Sequence, residues 1–116
     1  MAWTRQEPGT LTEALVQAAI DEQFDGDAAL YRSFAADCAT QFKLDASVGE
    51  LACAQGDMVQ LQRLAHNLKS ALLMLGDRST GALAAALEEQ ARVGDAPLAC
   101  DSWRRLHAAL SPQDGP

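Results

Sequence analysis

Aromatic side chains are scarce in this sequence, at 5% of 116 residues against 48% hydrophobic residues overall. A core built from such a chain must be mostly leucine and alanine, as in helix bundles. Long apolar runs are missing too. None approaches the roughly 18 residues needed to span a bilayer, and residues 1–10 lack the apolar stretch of a secretory signal. The reading is therefore a cytoplasmic protein with no membrane partner. Basic charge is in deficit, with 9 Lys and Arg against 16 Asp and Glu and a net charge of −7, which argues against nucleic acid as a partner. Cys38, Cys53 and Cys100 are odd in number, far apart and set in apolar helical patterns. They read as reduced packing residues, not as a disulfide framework. No Cys or His pair has metal-ligand spacing such as CxxC or HxxxH, so no metal site is expected. Gly9, Gly49 and Gly81 are isolated, and no glycine-rich nucleotide loop is present. The chain is not expected to charge itself from ATP.

What is present is helical periodicity, cut by four Gly-Asp dipeptides at 26–27, 56–57, 76–77 and 94–95. Each sets a residue that tolerates positive φ beside a good N-cap, as a tight helix-to-helix turn requires. Thr10 and Glu13 form a candidate capping box for a helix over 11–22, with Leu11, Leu15, Ala18 and Ala19 inward. Residues 27–55 carry Tyr31, Phe34, Ala35, Cys38 and Phe42 on one face. A bend or break is expected near 46–49, where the register shifts to Val48, Leu51 and Ala52. Further helices are expected over 57–75, over 79–93 through Leu83, Leu87 and Ala91, and from about 95 through Ala99, Trp103, Leu106 and Leu110. No segment alternates with period two, and no repeat is found. The predicted fold is all-α: an antiparallel up-and-down four-helix bundle with an additional short N-terminal helix. It occupies 10–110 as one domain, between a flexible N-terminus at 1–9 and a flexible tail at 111–116.

The most informative helix is the one over 57–75. At about 100° per residue, Leu61, Leu64, Leu68, Leu72 and Leu75 fall in one stripe, and His66 projects almost opposite its centre. Gln62, Arg63, Lys69 and Ser70 lie around it at helical spacing, with Val59 and Leu73 beyond them. A histidine on the wet face, followed by a cation at the third position and a small residue at the fourth, is placed to meet an anion. An exposed histidine alone is usually an ordinary surface residue. Its neighbours and spacing are what set this one apart.

The run Ala65-His66-Asn67-Leu68-Lys69-Ser70-Ala71, continuing to Leu75-Gly76, resembles the signature of histidine-containing phosphotransfer (HPt) domains, A-H-x-L-K-G-x-A-x-x-L-G or close to it. The turn at 56–57 and the segment Leu83 to Asp95 also fall where that family places a turn and its next helix. The resemblance extends over about 11–110. It implies a monomeric bundle whose exposed histidine takes a phosphoryl group from an aspartyl phosphate on one receiver domain and returns it to another receiver aspartate. Its partners would be receivers of a hybrid sensor kinase and of a response regulator. One departure stands out: the family usually has glycine four residues after the histidine, where this chain has Ser70.

The residue types suit that chemistry. A neutral imidazole is a good nucleophile near pH 7, since its ordinary pKa is about 6.5. Exposure spares a charged phospho-imidazole from desolvation. Lys69 can stabilise the phosphoryl charge, and Ser70 is small enough to leave access while offering a hydroxyl. Val59, Gln62, Arg63 and Leu73 form the candidate docking surface. No cofactor is expected on this chain, because Mg²⁺ would belong to the receiver's acidic pocket. His107 flanks the core stripe of the last helix and reads as structural or surface. Asp37, Asp45, Glu50, Glu88 and Glu89 read as solvated acids, with Arg104 and Arg105 snorkelling or pairing with them. Two other functions compete. One is a receiver-binding module of the same fold without turnover. The other is the dimerising phosphoacceptor domain of a histidine kinase, which Asn67 disfavours because such domains usually place an acid directly after the histidine.

Overall fold

The computed structural model describes residues 11–110, and over this range the chain is all-helical with no strand. The elements are α1 (Glu13–Gln23), α2 (Ala28–Gln55), α3 (Met58–Leu75), α4 (Arg78–Val93) and α5 (Ala96–Leu110). The expected flexible ends, 1–9 and 111–116, lie outside the described residues, as does Thr10 of the expected capping box. The cap on α1 is instead Thr12, whose hydroxyl accepts from the Leu15 amide at 3.2 Å.

Three of the Gly-Asp pairs do two jobs each. Gly56, Gly76 and Gly94 end α2, α3 and α4 in the left-handed conformation. Asp57, Asp77 and Asp95 then cap the next helix, accepting from the amides of Gln60, Thr80 and Leu98 at 3.1 Å each. One residue stops a helix and its neighbour starts the next, so consecutive helices must fold back closely. The resulting packing sets α3 against α1, α2 and α4, with α5 against α4 and α2.

The main core gathers Leu61, Leu64, Leu68 and Leu72 from α3, Leu87 from α4, and Trp103 and Leu106 from α5. A second cluster joins Ala19, Ile20, Phe24, Tyr31, Cys38 and Leu75. There the Tyr31 hydroxyl donates to the Leu75 carbonyl at 2.8 Å, satisfying a backbone oxygen in the last turn of α3. Burial pushes the Tyr31 phenol above its ordinary pKa, with Asp77 and Cys38 adding to the shift. All five leucines of the predicted α3 stripe are buried.

The structure corrects the sequence reading at several points. Helix α2 runs unbroken through 46–49. Gly49 does not break it but makes room: a Cβ there would collide with the indole of Trp103, which is buried against this stretch. The buried face of α1 passes through Ala19 and Ile20, leaving Ala18 exposed, and Leu51 is likewise exposed despite its place in the expected register. The cysteine reading also changes. Cys53 of α2 and Cys100 of α5 form a disulfide with their Cα atoms 5.7 Å apart, leaving Cys38 as the free, buried thiol. Burial raises the Cys38 pKa, and the nearby Asp37 raises it further. No helix among the described residues is long and apolar enough to cross a membrane.

Candidate functional site

The buried leucine stripe of α3 fixes the helix rotation and leaves His66 outward, its side chain 59% exposed. Lys69 lies one turn further along, half-buried, and Ser70 beside it is exposed. On the same face, Val59 is 66% exposed and Leu73 is 49% exposed. Fourteen residues separate them, roughly 21 Å along the axis at 1.5 Å per residue. His66 lies midway. Arg63 is exposed and Gln62 is half-buried at the edge of this strip.

The two-residue turn at Gly76 and Asp77 brings α4 alongside α3 and adds a residue that the sequence reading left among the solvated acids. Glu88, next to the buried Leu87, is 22% exposed and reaches across to α3. Its Oε2 lies 3.0 Å from His66 Nδ1, and its Oε1 lies 2.7 Å from Lys69 Nζ. One carboxylate therefore holds the histidine and the lysine together. The hydrogen bond from Lys69 lowers the Glu88 pKa most, partial desolvation opposes it, and the hydrogen bond from His66 lowers it further. The sign follows directly. This pairing favours the folded state above the ordinary carboxylate range and fades as acid titrates Glu88 through its depressed value.

Two other acids of that reading stay exposed while pairing, Glu50 at 63% and Glu89 at 61%. Glu50 accepts from Trp103 Nε1 at 3.1 Å and lies 3.8 Å from His107 Nδ1, while the His107 ring stacks on Trp103 with centroids 5.4 Å apart. His107 is thus part of the α2–α5 packing, away from the strip on α3. Arg105 pairs within its own helix with Asp101 at 2.6 Å, and Glu89 pairs with Arg92. Among the described residues no cluster of His, Cys, Asp and Glu is arranged to hold a metal.

The signal for Glu88 in the sequence was weak but real. It flanks the core stripe of α4 at the edge that must face a neighbouring helix. Which helix it would meet depends on the inter-helix register, which periodicity within α4 does not encode.

No curated protein and no solved structure matches the chain significantly. The family model described as Hpt domain matches residues 10–112, almost the whole chain. Members of that family are phosphocarrier modules that exchange phosphoryl groups with receiver domains in phosphorelays. They are not enzymes with ATP sites of their own. A chain that is all-helical over its described residues, with this match and with an outward histidine in the run that resembles the family's signature, belongs to the Hpt domain family.

Proposed function

We propose that this protein is a phosphorelay intermediate: His66 accepts a phosphoryl group from a receiver aspartyl phosphate and passes it to the aspartate of a second receiver. In this reading α2 to α5 form an antiparallel four-helix bundle, with α1 as the short additional N-terminal helix, and the protein works as a monomer. The carrying observation is the exposure of His66 beside the paired Lys69 and Glu88, on a strip bounded by apolar Val59 and Leu73. An imidazole in the open can enter a receiver's pocket, and its apolar flanks supply the docking surface, with Gln62 and Arg63 at the rim. No cofactor of its own is required. Mg²⁺ would be supplied by the receiver.

The direct test mixes the protein with phosphorylated receiver domains. Acid-labile, base-stable phosphate on His66 is the expected result. Receiver binding without any phosphate on the histidine would overturn the carrier reading and favour a non-transferring interaction module. A stable dimer in solution would favour the kinase acceptor domain.

Lys69 supports the group in flight. Lys69→Ala is expected to slow transfer by about tenfold to a hundredfold while weakening receiver binding much less, because an aimed charge matters most as phosphoryl charge is handed over. Rapid-quench transfer rates compared with receiver titrations check this. An equal loss in both would mean that Lys69 only docks.

Ser70 occupies the position where the family usually has glycine. Ser70→Gly and Ser70→Ala are both expected to change the transfer rate by less than about fivefold, roughly 1 kcal/mol. Glycine in this helix interior costs up to about 1 kcal/mol of stability, read by thermal melts. A large gain in rate in Ser70→Gly alone would show that the hydroxymethyl obstructs the receiver. A comparable loss in both variants would assign the hydroxyl to the phosphoryl group.

A further inference from the structure

The seam between α2 and α5 is built as a short ladder whose rungs differ in chemistry. Its inner rung is the buried Trp103, with the indole against Gly49 and Nε1 donating to Glu50 at 3.1 Å. One turn outward, Cys53 follows Glu50 on α2 and Cys100 precedes Trp103 on α5, and the disulfide joins them. The bond is therefore the terminal rung. Cys53 lies in the last turn of α2, where its carbonyl accepts from the Gly56 amide at 3.2 Å, and Cys100 lies just beyond the first turn of α5.

The two cysteines are unequal in access. Cys53 is half-buried, whereas Cys100 is buried within the main core. Helix ends open locally at little cost, so a thiolate can reach Cys53 while the inner rungs stay closed.

We propose that Cys53–Cys100 is a thiol–disulfide exchange site of the folded protein, entered at Cys53 by a small thiol of the glutathione class. The inference does not depend on the phosphoryl chemistry. The incoming thiolate attacks Cys53 Sγ, the S–S electron pair passes to the Cys100 sulfur, and that sulfur takes up a proton. A mixed disulfide is left on Cys53. A second thiolate then attacks the outer sulfur of that adduct and releases Cys53, which is protonated in turn. Two reductant thiols leave as one disulfide, and the protein gains two thiols. Glutathione disulfide as the oxidant runs the same steps backwards.

The inner rungs make the exchange reversible, because none of them needs the bond. With Trp103 still seated on Gly49 and Glu50, the reduced thiols stay face to face on backbones 5.7 Å apart. Rejoining is then intramolecular and runs at high effective concentration. Cys38 cannot divert it. That thiol is buried earlier on α2, roughly 22 Å away along the axis at 1.5 Å per residue.

The experiment treats the oxidised full chain with reduced glutathione at about pH 8, where part of the thiol is ionised. Samples quenched in acid are digested and the adduct is mapped by mass spectrometry, with helical circular dichroism followed alongside. The adduct is expected on Cys53 over Cys100 by at least about tenfold, since the more accessible sulfur is the one attacked. The reduction rate should rise in proportion to glutathione, and helicity at low temperature should stay native. Glutathione disulfide should restore the 53–100 pairing alone. Glutathione carried mainly by Cys100 overturns the proposal, as does a reduction rate that levels off at the rate of global unfolding or a loss of helix on reduction. Single variants repeat the comparison without the bond. Cys53 in Cys100→Ser should react with a chromogenic disulfide reagent at least about tenfold faster than Cys100 in Cys53→Ser, and equal rates would count against entry at Cys53.

Discussion

His66→Gln is expected to abolish phosphoryl acceptance outright while leaving the melting temperature almost unchanged. Glutamine roughly preserves the size and polarity of the side chain but offers no nucleophilic lone pair, so no smaller residual rate should remain to be rescued. The fold should not register the loss, because the side chain is 59% exposed and exposed changes usually stay within about 0.5 kcal/mol. The pairing with Glu88 is the one interaction forfeited, and Lys69 still holds that carboxylate from its other side. His107→Gln should leave transfer intact, since that ring is stacked on Trp103 in the α2–α5 packing. Phosphoryl incorporation into each purified variant, with thermal melts alongside, checks both statements. Incorporation that survives in His66→Gln but vanishes in His107→Gln would reverse the assignment.

Reduction of the Cys53–Cys100 bond should produce the largest change in stability short of unfolding. The bond closes a loop with a sequence separation of 47. Chain-entropy arguments assign such a loop about 4 kcal/mol, a large part of the 5–15 kcal/mol typical of a domain. The melting temperature should fall by about 15 °C on adding reductant. Thiol counting under denaturing conditions gives the matching readout: one reactive cysteine before reduction, Cys38, and all three afterwards. Phosphoryl transfer should persist in the reduced protein at low temperature, because His66, Lys69 and Glu88 are held by the α3–α4 packing. A melting temperature indifferent to reductant would show that the bond does not form in solution.

How much of this was legible beforehand varies with the kind of information each feature needs. The α3 helix could be read in full, because its five buried leucines and outward histidine follow from one local period. The turns at Gly56, Gly76 and Gly94 could be read because stop and start signals are local as well. The stretch at 46–49 was misread for the opposite reason: a shift in the apolar register looks like a break until the indole from α5 is seen packed against Gly49. The pairing of Cys53 with Cys100 was invisible for a similar cause, since only the approach of α5 to α2 brings those residues together. Within the site, His66, Lys69 and Ser70 came from one helix and were found together. Glu88 came from another, and the rotation of α4 against α3 decides whether it meets solvent or the histidine.

The same disulfide has a topological consequence. Residues 53 and 100 close a covalent ring that contains α3 and α4 entire, and hence His66, Lys69 and Glu88, while α1 and most of α2 stay outside it. A backbone cut at the Gly76–Asp77 turn would divide His66 from the Glu88 carboxylate paired with it, yet the two pieces would remain tethered. Reassembly of the site would then be a unimolecular event governed by effective concentration, not by dilution. Reducing the bond in such a nicked molecule would release the half bearing His66 from the half bearing Glu88. The integrity of the site against backbone cleavage is thus written into a bond that touches none of its residues.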